Sequence, residues 1–211
     1  MAHLVWDWNG TLLDDLALVV AATNASLGAV GGRPITVEEH RRDFRRPISA
    51  YYAYVLGRPV SDDEFATLDH AFHVAYRTGV RDCRLAAGAL EAIATWRGTQ
   101  SLLSMWFHHE LLPVVERHGL AARMGRVDGL RAAVGGGSKA PHLAAHLTAL
   151  DLRGADCVLI GDSLDDAEAA ASVGAGVVLY SGGFTDESRL RQSGLPVAST
   201  LAEAVEYALA A

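Results

Sequence analysis

Short apolar runs alternate along the chain with longer amphipathic stretches, and this alternation predicts an α/β fold. Strand patterns cover residues 4–8, 101–106, 157–160 and 177–180, with a weaker one at 125–127. Helical patterns cover residues 12–30, 110–118, 139–150, 165–173 and 201–209. Because strands separated by helices of this length form parallel sheets, we expect a Rossmann-like parallel sheet with helices on both faces.

One long part of the chain departs from this alternation. Residues 33–88 carry no convincing strand pattern, whereas helical patterns cover 36–44, 48–56 and 61–77. Ser61, followed three residues later by Glu64, has the sequence of a capping box, which marks a helix start. The region is therefore predicted to be a compact helical insertion that follows the first strand.

Polar groups stand where three of the predicted strands end. Asp7 follows the first apolar run, Ser104 lies near the end of the second, and Asp162 follows the run at 157–160. Lys139 lies at a predicted helix start between the last two. Since parallel α/β sheets bind ligands at the carboxyl ends of their strands, we expect these groups to share one crevice.

The residue types in this crevice favour phosphoryl transfer. Asp7 and Asp162 offer the hard oxygen ligands that Mg²⁺ binds while it keeps positions open for water and a phosphate. Lys139 and the Ser104 hydroxyl would then hold the remaining phosphate oxygens. Asp7 would be left to attack phosphorus and form an aspartyl-phosphate.

Composition narrows the class of partner and draws attention to Lys139. The 211 residues carry a formal net charge of −7, with 50% hydrophobic and 20% charged residues, which is typical of a globular chain. The chain therefore lacks the excess of basic residues that is typical of proteins that bind nucleic acid or anionic membranes. Lys139 is the only lysine among 18 basic side chains, and a compact ammonium cannot be exchanged for a planar guanidinium at a phosphoryl site.

The sequence carries no signal for a membrane or an oxidising compartment. No apolar run approaches a membrane span, and the first residues lack the basic flank of a signal peptide. Cys83 and Cys157 are far apart and fit no metal-binding spacing. A cytoplasmic protein with free thiols is therefore expected.

Four motifs, in order, resemble those of the haloacid dehalogenase-like (HAD) hydrolases over almost the whole chain. Asp7-Trp8-Asn9-Gly10-Thr11-Leu12 resembles the nucleophile motif Asp-x-Asp-Gly-Thr-Leu. Ser104 resembles the phosphate-binding Ser/Thr, and Lys139 the motif lysine. Asp162 and Asp166 resemble the acidic metal-binding motif. The chain is most similar to the phosphoglycolate phosphatase-like and phosphoglucomutase-like members with a helical cap.

This resemblance implies a domain division and a role for each site residue. Residues 15–85 would form the helical cap, and residues 1–14 and 86–211 the α/β core. The implied enzyme is a Mg²⁺-dependent phosphatase of a small phosphorylated metabolite, with no nucleic-acid or membrane partner. Asp7 would be the nucleophile and a metal ligand, and the other ligands would be Asp162, Asp166 and the backbone carbonyl of Asn9. Phosphate or substrate would be bound by Thr11, Ser104, Met105, Lys139 and Arg46.

Asn9 departs from the family pattern, in which an aspartate at this position acts as general acid and base. An amide cannot exchange a proton at physiological pH, and general acid–base catalysis contributes roughly 10²–10⁴-fold. The substrate would then have a good leaving group, as an acyl phosphate does, or another acid such as Asp14, His108 or His109 would supply the proton. Restoring the carboxylate with Asn9→Asp is accordingly expected to accelerate the hydrolysis of alkyl phosphates.

Two alternatives to a phosphatase stay open at this point. The first is a protein that binds a phosphorylated ligand without turnover, since the usual acid/base is missing. The second is a metal-independent haloacid dehalogenase, because that branch of the family also lacks the aspartate. The presence of both Asp162 and Asp166 favours a metal and hence the phosphatase.

Overall fold

The computed structural model describes residues 2–131 and 136–210 and centres on a six-stranded sheet. The strands are β1 (His3–Trp6), β2 (Leu13–Asp14), β3 (Arg84–Leu85), β4 (Gln100–Phe107), β5 (Val127–Leu130), β6 (Cys157–Gly161), β7 (Gly176–Tyr180) and β8 (Val197–Ala198). The large sheet has the order β5-β4-β1-β6-β7-β8, and all its neighbouring strands are parallel. The predicted parallel α/β sheet is thus confirmed.

Helices cover both faces of this sheet. They are α1 (Leu16–Ala29), α2 (Val37–Asp43), α3 (Ile48–Leu56), α4 (Asp62–Gly79), α5 (Ala89–Thr95), α6 (His108–Arg117), α7 (Ala140–Ala149), α8 (Leu164–Val173), α9 (Glu187–Gln192) and α10 (Leu201–Ala210). Alternate side chains of β1 enter different cores, because side chains of a strand point to opposite faces. Leu4 and Trp6 pack in one core with side chains of α5, α6 and α10, and Val5 in another with α7 and α8.

Helices α1 to α4, residues 16–79, form a helical insertion between β2 and β3. Its centre is the contact between α1 and α4, where Leu27 and Leu68 are fully buried. The hydroxyl of Ser26 donates to the Leu68 carbonyl at 2.8 Å and ties the two helices together. The helical character of this segment agrees with the sequence pattern. The division into a cap of residues 15–85 and a core of 1–14 and 86–211 stays a prediction.

The structure corrects the prediction in several short elements. The helix expected from residue 12 begins at Leu16, because Leu13–Asp14 form β2 and pair antiparallel with β3. β3 itself lies in the stretch for which no strand was predicted, and β5 spans Val127–Leu130 instead of 125–127. Strands of two residues, such as β2, β3 and β8, are too short to show periodicity in a sequence.

Acid is expected to destabilise the fold through His40, a buried histidine of α2. Burial lowers the pKa of His40 to about 4, from an ordinary value of 6.5. Between these two pH values the unfolded chain binds more protons than the folded one, so the free energy of unfolding falls as the pH falls. Denaturant unfolding at pH 6.5, 5.5 and 4.5 should therefore show a smaller loss of stability in His40→Gln than in the unmodified protein. The control is the same substitution at the exposed His70, and equal losses in all three proteins would contradict the prediction.

Candidate active site

The carboxyl ends of three strands meet at one edge of the sheet, as predicted. β1 lies between β4 and β6, so the strand order reverses there, which is where open α/β sheets bind ligands. Asp7 follows β1, and its N–H donates to the Ile160 carbonyl of β6 at 2.9 Å. Asp162 follows β6, Asp166 lies in the first turn of α8, and Lys139 immediately precedes α7.

Three buried carboxylates and one buried ammonium form the centre of the site. One oxygen from each of Asp7, Asp162 and Asp166 lies within 4.8 Å of the others. Each of the three residues is no more than 5% exposed, and Lys139 is 3% exposed. Lys139 Nζ lies 2.5 Å from Asp7 Oδ1 and also contacts Asp166 Oδ1. The fold thus brings the predicted nucleophile, the predicted carboxylate ligands and the lone lysine together.

The charge of this cluster is not balanced by its own residues. Burial raises the pKa of Asp7 to about 6, against the opposing effect of Lys139. Burial and the charges of Asp7 and Asp166 raise the pKa of Asp162 well above its ordinary value. For Lys139, burial lowers the pKa, but the charges of Asp166 and Asp7 outweigh it and raise the pKa overall. A divalent cation among these oxygens would offset the excess negative charge, and the hard oxygen donors fit Mg²⁺.

Neighbouring groups hold each carboxylate in place. The Thr11 hydroxyl donates to Asp7 Oδ2 at 3.1 Å, and the N–H of Phe184 donates to Asp162 Oδ2 at 2.5 Å. Asp166 forms a capping box with Ser163, whose hydroxyl and N–H donate to Asp166 Oδ2 at 2.6 and 3.0 Å. These hydrogen bonds hold the three carboxylates in position before any ligand binds. The side chains therefore need little rearrangement when a ligand binds.

The side chain of Asn9 faces a network that the sequence analysis missed. Asn9 Nδ2 donates to Asp15 Oδ2 and to the Tyr76 hydroxyl, both at 2.8 Å, while Asn9 Oδ1 accepts from the Ser104 hydroxyl at 3.0 Å. Asp15 also accepts from Tyr76 at 2.6 Å and from the Gly10 N–H at 2.8 Å. Asp15 is 1% exposed, and burial raises its pKa to about 6. Asp15 therefore joins the nucleophile loop to helix α4 of the helical insertion.

The remaining predicted binding residues fall into two groups. Met105 and Arg46 line a small cavity together with Asp7 and Lys139, and Arg46 Nε lies 3.4 Å from Asp165 Oδ2. Thr11 and Ser104 are instead fully buried behind it, with their hydroxyls bonded to Asp7 and to Asn9. Direct phosphate contacts from these two hydroxyls stay a prediction, because both would first have to rotate.

The candidates for a substitute acid lie away from the carboxylate cluster. Asp14 is exposed on β2, and His109 is exposed at the start of α6. His108 Nδ1 accepts from the Gly129 N–H at 3.1 Å, and its other ring nitrogen contacts Arg131. None of the three lines the cavity that holds Asp7. The carboxylate that does approach Asn9 is that of Asp15. In the sequence, Asp15 is marked only as the second of two acidic residues before a helix.

Replacing Lys139 is expected to disable the site even when the positive charge is kept. Lys139 bridges Asp7 and Asp166 in a space with 3% exposure, and a guanidinium is larger and planar. We expect Lys139→Arg to lose turnover by roughly 10²-fold or more, comparably with Lys139→Ala. Steady-state hydrolysis of phosphate esters measures this, with Arg153→Lys at an exposed ion pair as the control. Near-normal turnover in Lys139→Arg would show that a point charge is not required.

Comparisons with known proteins agree with the motifs. A family model described as HAD-hydrolase-like matches residues 136–204, a range that contains Lys139, Asp162 and Asp166. No curated protein sequence matches the chain. The resemblance to HAD-like hydrolases, predicted from the motifs, is nevertheless confirmed by the match to the family model over residues 136–204.

Solved structures of low sequence identity share the fold over its full length. A predicted phosphatase from Clostridium acetobutylicum is 14% identical, with a TM-score of 0.85 over 100% of this chain and 99% of that one. A haloacid dehalogenase-like hydrolase from Streptococcus pneumoniae is 15% identical, with a TM-score of 0.82 over 98% of both chains. A predicted phosphoglycolate phosphatase from Haemophilus somnus is 17% identical, with a TM-score of 0.76 over 99% of this chain and 98% of that one.

Within the described residues, no helix has both the length and the apolarity to cross a bilayer.

Proposed function

We propose that the protein is a Mg²⁺-dependent phosphatase that hydrolyses a small phosphate monoester through an aspartyl-phosphate on Asp7. The observation that carries this proposal is the buried cluster of Asp7, Asp162 and Asp166 around Lys139. The match to a hydrolase family model and the structural neighbours described as phosphatases support the same class of reaction.

Each residue of the cluster has a defined task in this proposal. Asp7, Asp162, Asp166 and the Asn9 carbonyl would hold the Mg²⁺ ion, which would neutralise charge on the phosphate oxygens. Asp7 attacks phosphorus, and the bond from phosphorus to the ester oxygen breaks. Lys139 keeps Asp7 oriented and adds positive charge beside the transferred group. Water then attacks the phosphorus of the aspartyl-phosphate, which frees Asp7 and releases inorganic phosphate.

Proton transfer is the step for which the site is incomplete. Asn9 occupies the position next to the reacting groups, and its amide neither gives nor takes a proton. Both polar atoms of its side chain are already hydrogen-bonded, to Asp15, Tyr76 and Ser104. The same observation favours a second candidate function, a protein that binds a phosphorylated ligand and turns it over slowly or not at all.

Magnesium binding tests the proposal without requiring the natural substrate. Since Mg²⁺ would bind the folded cluster and relieve its negative charge, a concentration near 100 times its Kd should raise the Tm by roughly 5–10 °C. Differential scanning fluorimetry with and without EDTA measures this shift. Asp162→Asn should abolish it, whereas Asp14→Asn, at an exposed carboxylate outside the cluster, should leave it intact.

The same samples separate the alternatives when acetyl phosphate is added. Hydrolysis that requires Mg²⁺ supports the phosphatase. A Mg²⁺-dependent Tm shift with phosphate binding but no hydrolysis supports the ligand-binding protein. Release of halide from a haloacid in the presence of EDTA, with no Mg²⁺ effect on the Tm, would contradict the proposal and support a dehalogenase.

A further inference from the structure

A second cavity, of about 110 Å³, lies between the helical insertion and the sheet and adjoins the carboxylate cluster. It shares five lining residues with the smaller cavity that contains Asp7 and Lys139, namely Asn9, Phe44, Arg46, Met105 and Phe184. A phosphoryl group held at Asp7 would therefore place the rest of its ester in this second cavity, past Asn9. We call this second cavity the leaving-group cavity. Its lining residues indicate which kind of alcohol forms the ester.

Aromatic side chains dominate the leaving-group cavity. Seven of its lining residues are Phe, Tyr or Trp, and Val19, Ile48 and Met105 add apolar surface. The rings of Phe44 and Phe184 are 5.6 Å apart in an edge-on arrangement, and those of Tyr76 and Trp106 are 5.4 Å apart in another. Edge-on pairs at these distances are a favourable arrangement of aromatic rings, and the aromatic wall that they form favours a flat apolar ligand.

The charged side chains of this cavity offer little net attraction to a carboxylate. Arg46 is the only Lys or Arg among the described residues that line this cavity. Its Nε lies 3.4 Å from Asp165, and one terminal nitrogen donates to the Gly137 carbonyl at 3.0 Å. Asp69 lies 3.4 Å from His73 and is itself an anion. A phosphorylated hydroxy acid would thus bring its carboxylate into a largely apolar space beside Asp69, where Arg46 already pairs with Asp165, which is unfavourable.

Among the described residues, two buried ring nitrogens of the cavity wall lack a hydrogen-bond partner, His40 Nε2 and His73 Nδ1. His40 is 1% exposed, and its Nδ1 shares a hydrogen bond of 2.8 Å with the Tyr51 hydroxyl. Within the described part of the chain, His40 Nε2 has no hydrogen-bond partner. Burial lowers the pKa of His40 to about 4, so the ring is neutral near pH 7. A neutral hydroxyl or carbonyl on the ligand would complete this site better than an ion.

We propose that the leaving-group cavity binds an uncharged aromatic ring and that the substrate is an aryl phosphate, the phosphate ester of a phenol. This proposal rests on the proposed phosphatase function. The cavity, at about 110 Å³, is smaller than the apolar cavity of about 150 Å³ that binds benzene in an engineered protein, so it has room for no more than a single ring.

The chemistry at Asn9 points independently to the same substrate class. An aliphatic alkoxide is the conjugate base of an alcohol about as weakly acidic as water, so it needs a proton as it departs. A phenolate has a conjugate acid with a pKa of about 10, so it departs far more easily without one. A site that lacks the acid at position 9 therefore loses least with a phenol as leaving group.

A polar cavity on the other side of Phe44 offers the main rival site for an anionic substrate. Arg45, Arg46 and Arg189 line it, but Asp165 and Glu168 line it as well. Arg45 Nε donates to the Asp43 carbonyl, and Arg189 donates to the Phe44 carbonyl, both at 2.9 Å. These arginines brace the backbone of the helical insertion, and the carboxylates oppose an incoming anion.

Substrate comparison provides the first test. Phenyl phosphate should exceed 2-phosphoglycolate and 4-carboxyphenyl phosphate in kcat/KM, each by at least about tenfold. Benzyl phosphate has the ring but an alkoxide leaving group, so it should match phenyl phosphate in KM and fall roughly 10²-fold or more in kcat. A preference for either carboxylated ester over phenyl phosphate would overturn the proposal.

Binding of the products separates this proposal from the phosphatase itself. Without any turnover, 4-methylphenol should bind at least about tenfold more tightly than 4-hydroxybenzoate, measured by protein-observed NMR or calorimetry. If acetyl phosphate is hydrolysed but 4-hydroxybenzoate binds better, the aryl proposal fails and the phosphatase stands. If no ester is hydrolysed but 4-methylphenol binds better, the phosphatase fails and the apolar ring site stands.

A designed charge is expected to remove most of this preference. Ile48 lines the cavity and is only half-buried, so Ile48→Arg can add a cation there. This variant should raise the affinity for 4-hydroxybenzoate relative to 4-methylphenol by about tenfold, whereas Ile48→Met, also unbranched but uncharged, should not. Circular dichroism checks that both variants fold. If Ile48→Arg does not fold, the relative affinity of the unmodified protein for 4-methylphenol and 4-hydroxybenzoate tests the proposal. An unchanged ratio in folded Ile48→Arg would place the ring elsewhere.

Discussion

Asp7→Asn is expected to reduce phosphate ester hydrolysis by roughly 10⁴-fold or more, because an amide oxygen cannot replace the carboxylate as nucleophile. Asp7 is the residue that follows β1 and that both Lys139 and Thr11 contact at the centre of the cluster. The substitution keeps the size of the side chain and removes one of three neighbouring negative charges. Since burial raises the pKa of Asp7 to about 6, its ionised form is unfavourable without metal, and the variant should be at least as stable as the unmodified protein.

The measurement is steady-state release of phosphate, together with thermal unfolding in EDTA. Asp14→Asn, seven residues later and exposed, provides the matched control and should keep its turnover. Retention of more than a few per cent of turnover by Asp7→Asn would rule out covalent catalysis at this residue. Loss of turnover together with loss of the folded state would instead show a structural role for Asp7.

Asn9→Asp alone is expected to give little gain in turnover, contrary to the expectation from the sequence motif. In the structure, Asn9 Nδ2 lies 2.8 Å from Asp15 Oδ2, and Asp15 is buried. A carboxylate at position 9 would face the carboxylate of Asp15 at this distance, and two such anions cannot both stay ionised. The single variant should therefore be less stable at neutral pH than the unmodified protein, with its new carboxyl group poorly available for proton transfer.

The double variant Asn9→Asp with Asp15→Asn should restore what the single variant lacks. An amide at position 15 can donate to the new carboxylate, so the hydrogen bond survives with its direction reversed. Hydrolysis of benzyl phosphate should then rise by roughly 10²-fold over the unmodified protein, and that of acetyl phosphate by less. A double-mutant cycle measures the coupling in kcat and in the free energy of unfolding, with Asp15→Asn as the other single variant. Additive effects at the two positions, or no gain in the double variant, would contradict this explanation of Asn9.

The sequence predicts the parts of the site that depend on local structure. Asp7, Asp162 and Lys139 each lie within one residue of a strand or helix end, and parallel topology brings such ends together without further information. The contact between Asp15 and Tyr76 joins residues 61 positions apart and depends on how α4 packs against the nucleophile loop. No periodic pattern carries that information.

The leaving-group cavity could not be predicted from the sequence either, because it also depends on how distant segments pack. In the sequence, ordinary apolar positions of helical stretches are occupied by Phe44, Tyr51 and Tyr76. Phe184 belongs to a loop after β7. Only the docked helical insertion places these rings on one cavity beside Asn9. The buried hydroxyls of Thr11 and Ser104 are a similar case, because the motif identifies the residues but not the direction in which their hydroxyls point.

Trapping of the phosphorylated protein tests the central claim most directly. The protein with Mg²⁺ is mixed with an excess of phenyl phosphate or acetyl phosphate, quenched in acid within milliseconds and digested, and the peptides are examined by mass spectrometry. The account predicts a phosphoryl group on the peptide that contains Asp7, dependent on Mg²⁺, absent from Asp7→Asn and lost at neutral pH on standing. Turnover of the ester with no phosphoryl group on that peptide at any quench time, or with the group on another residue, would contradict the account.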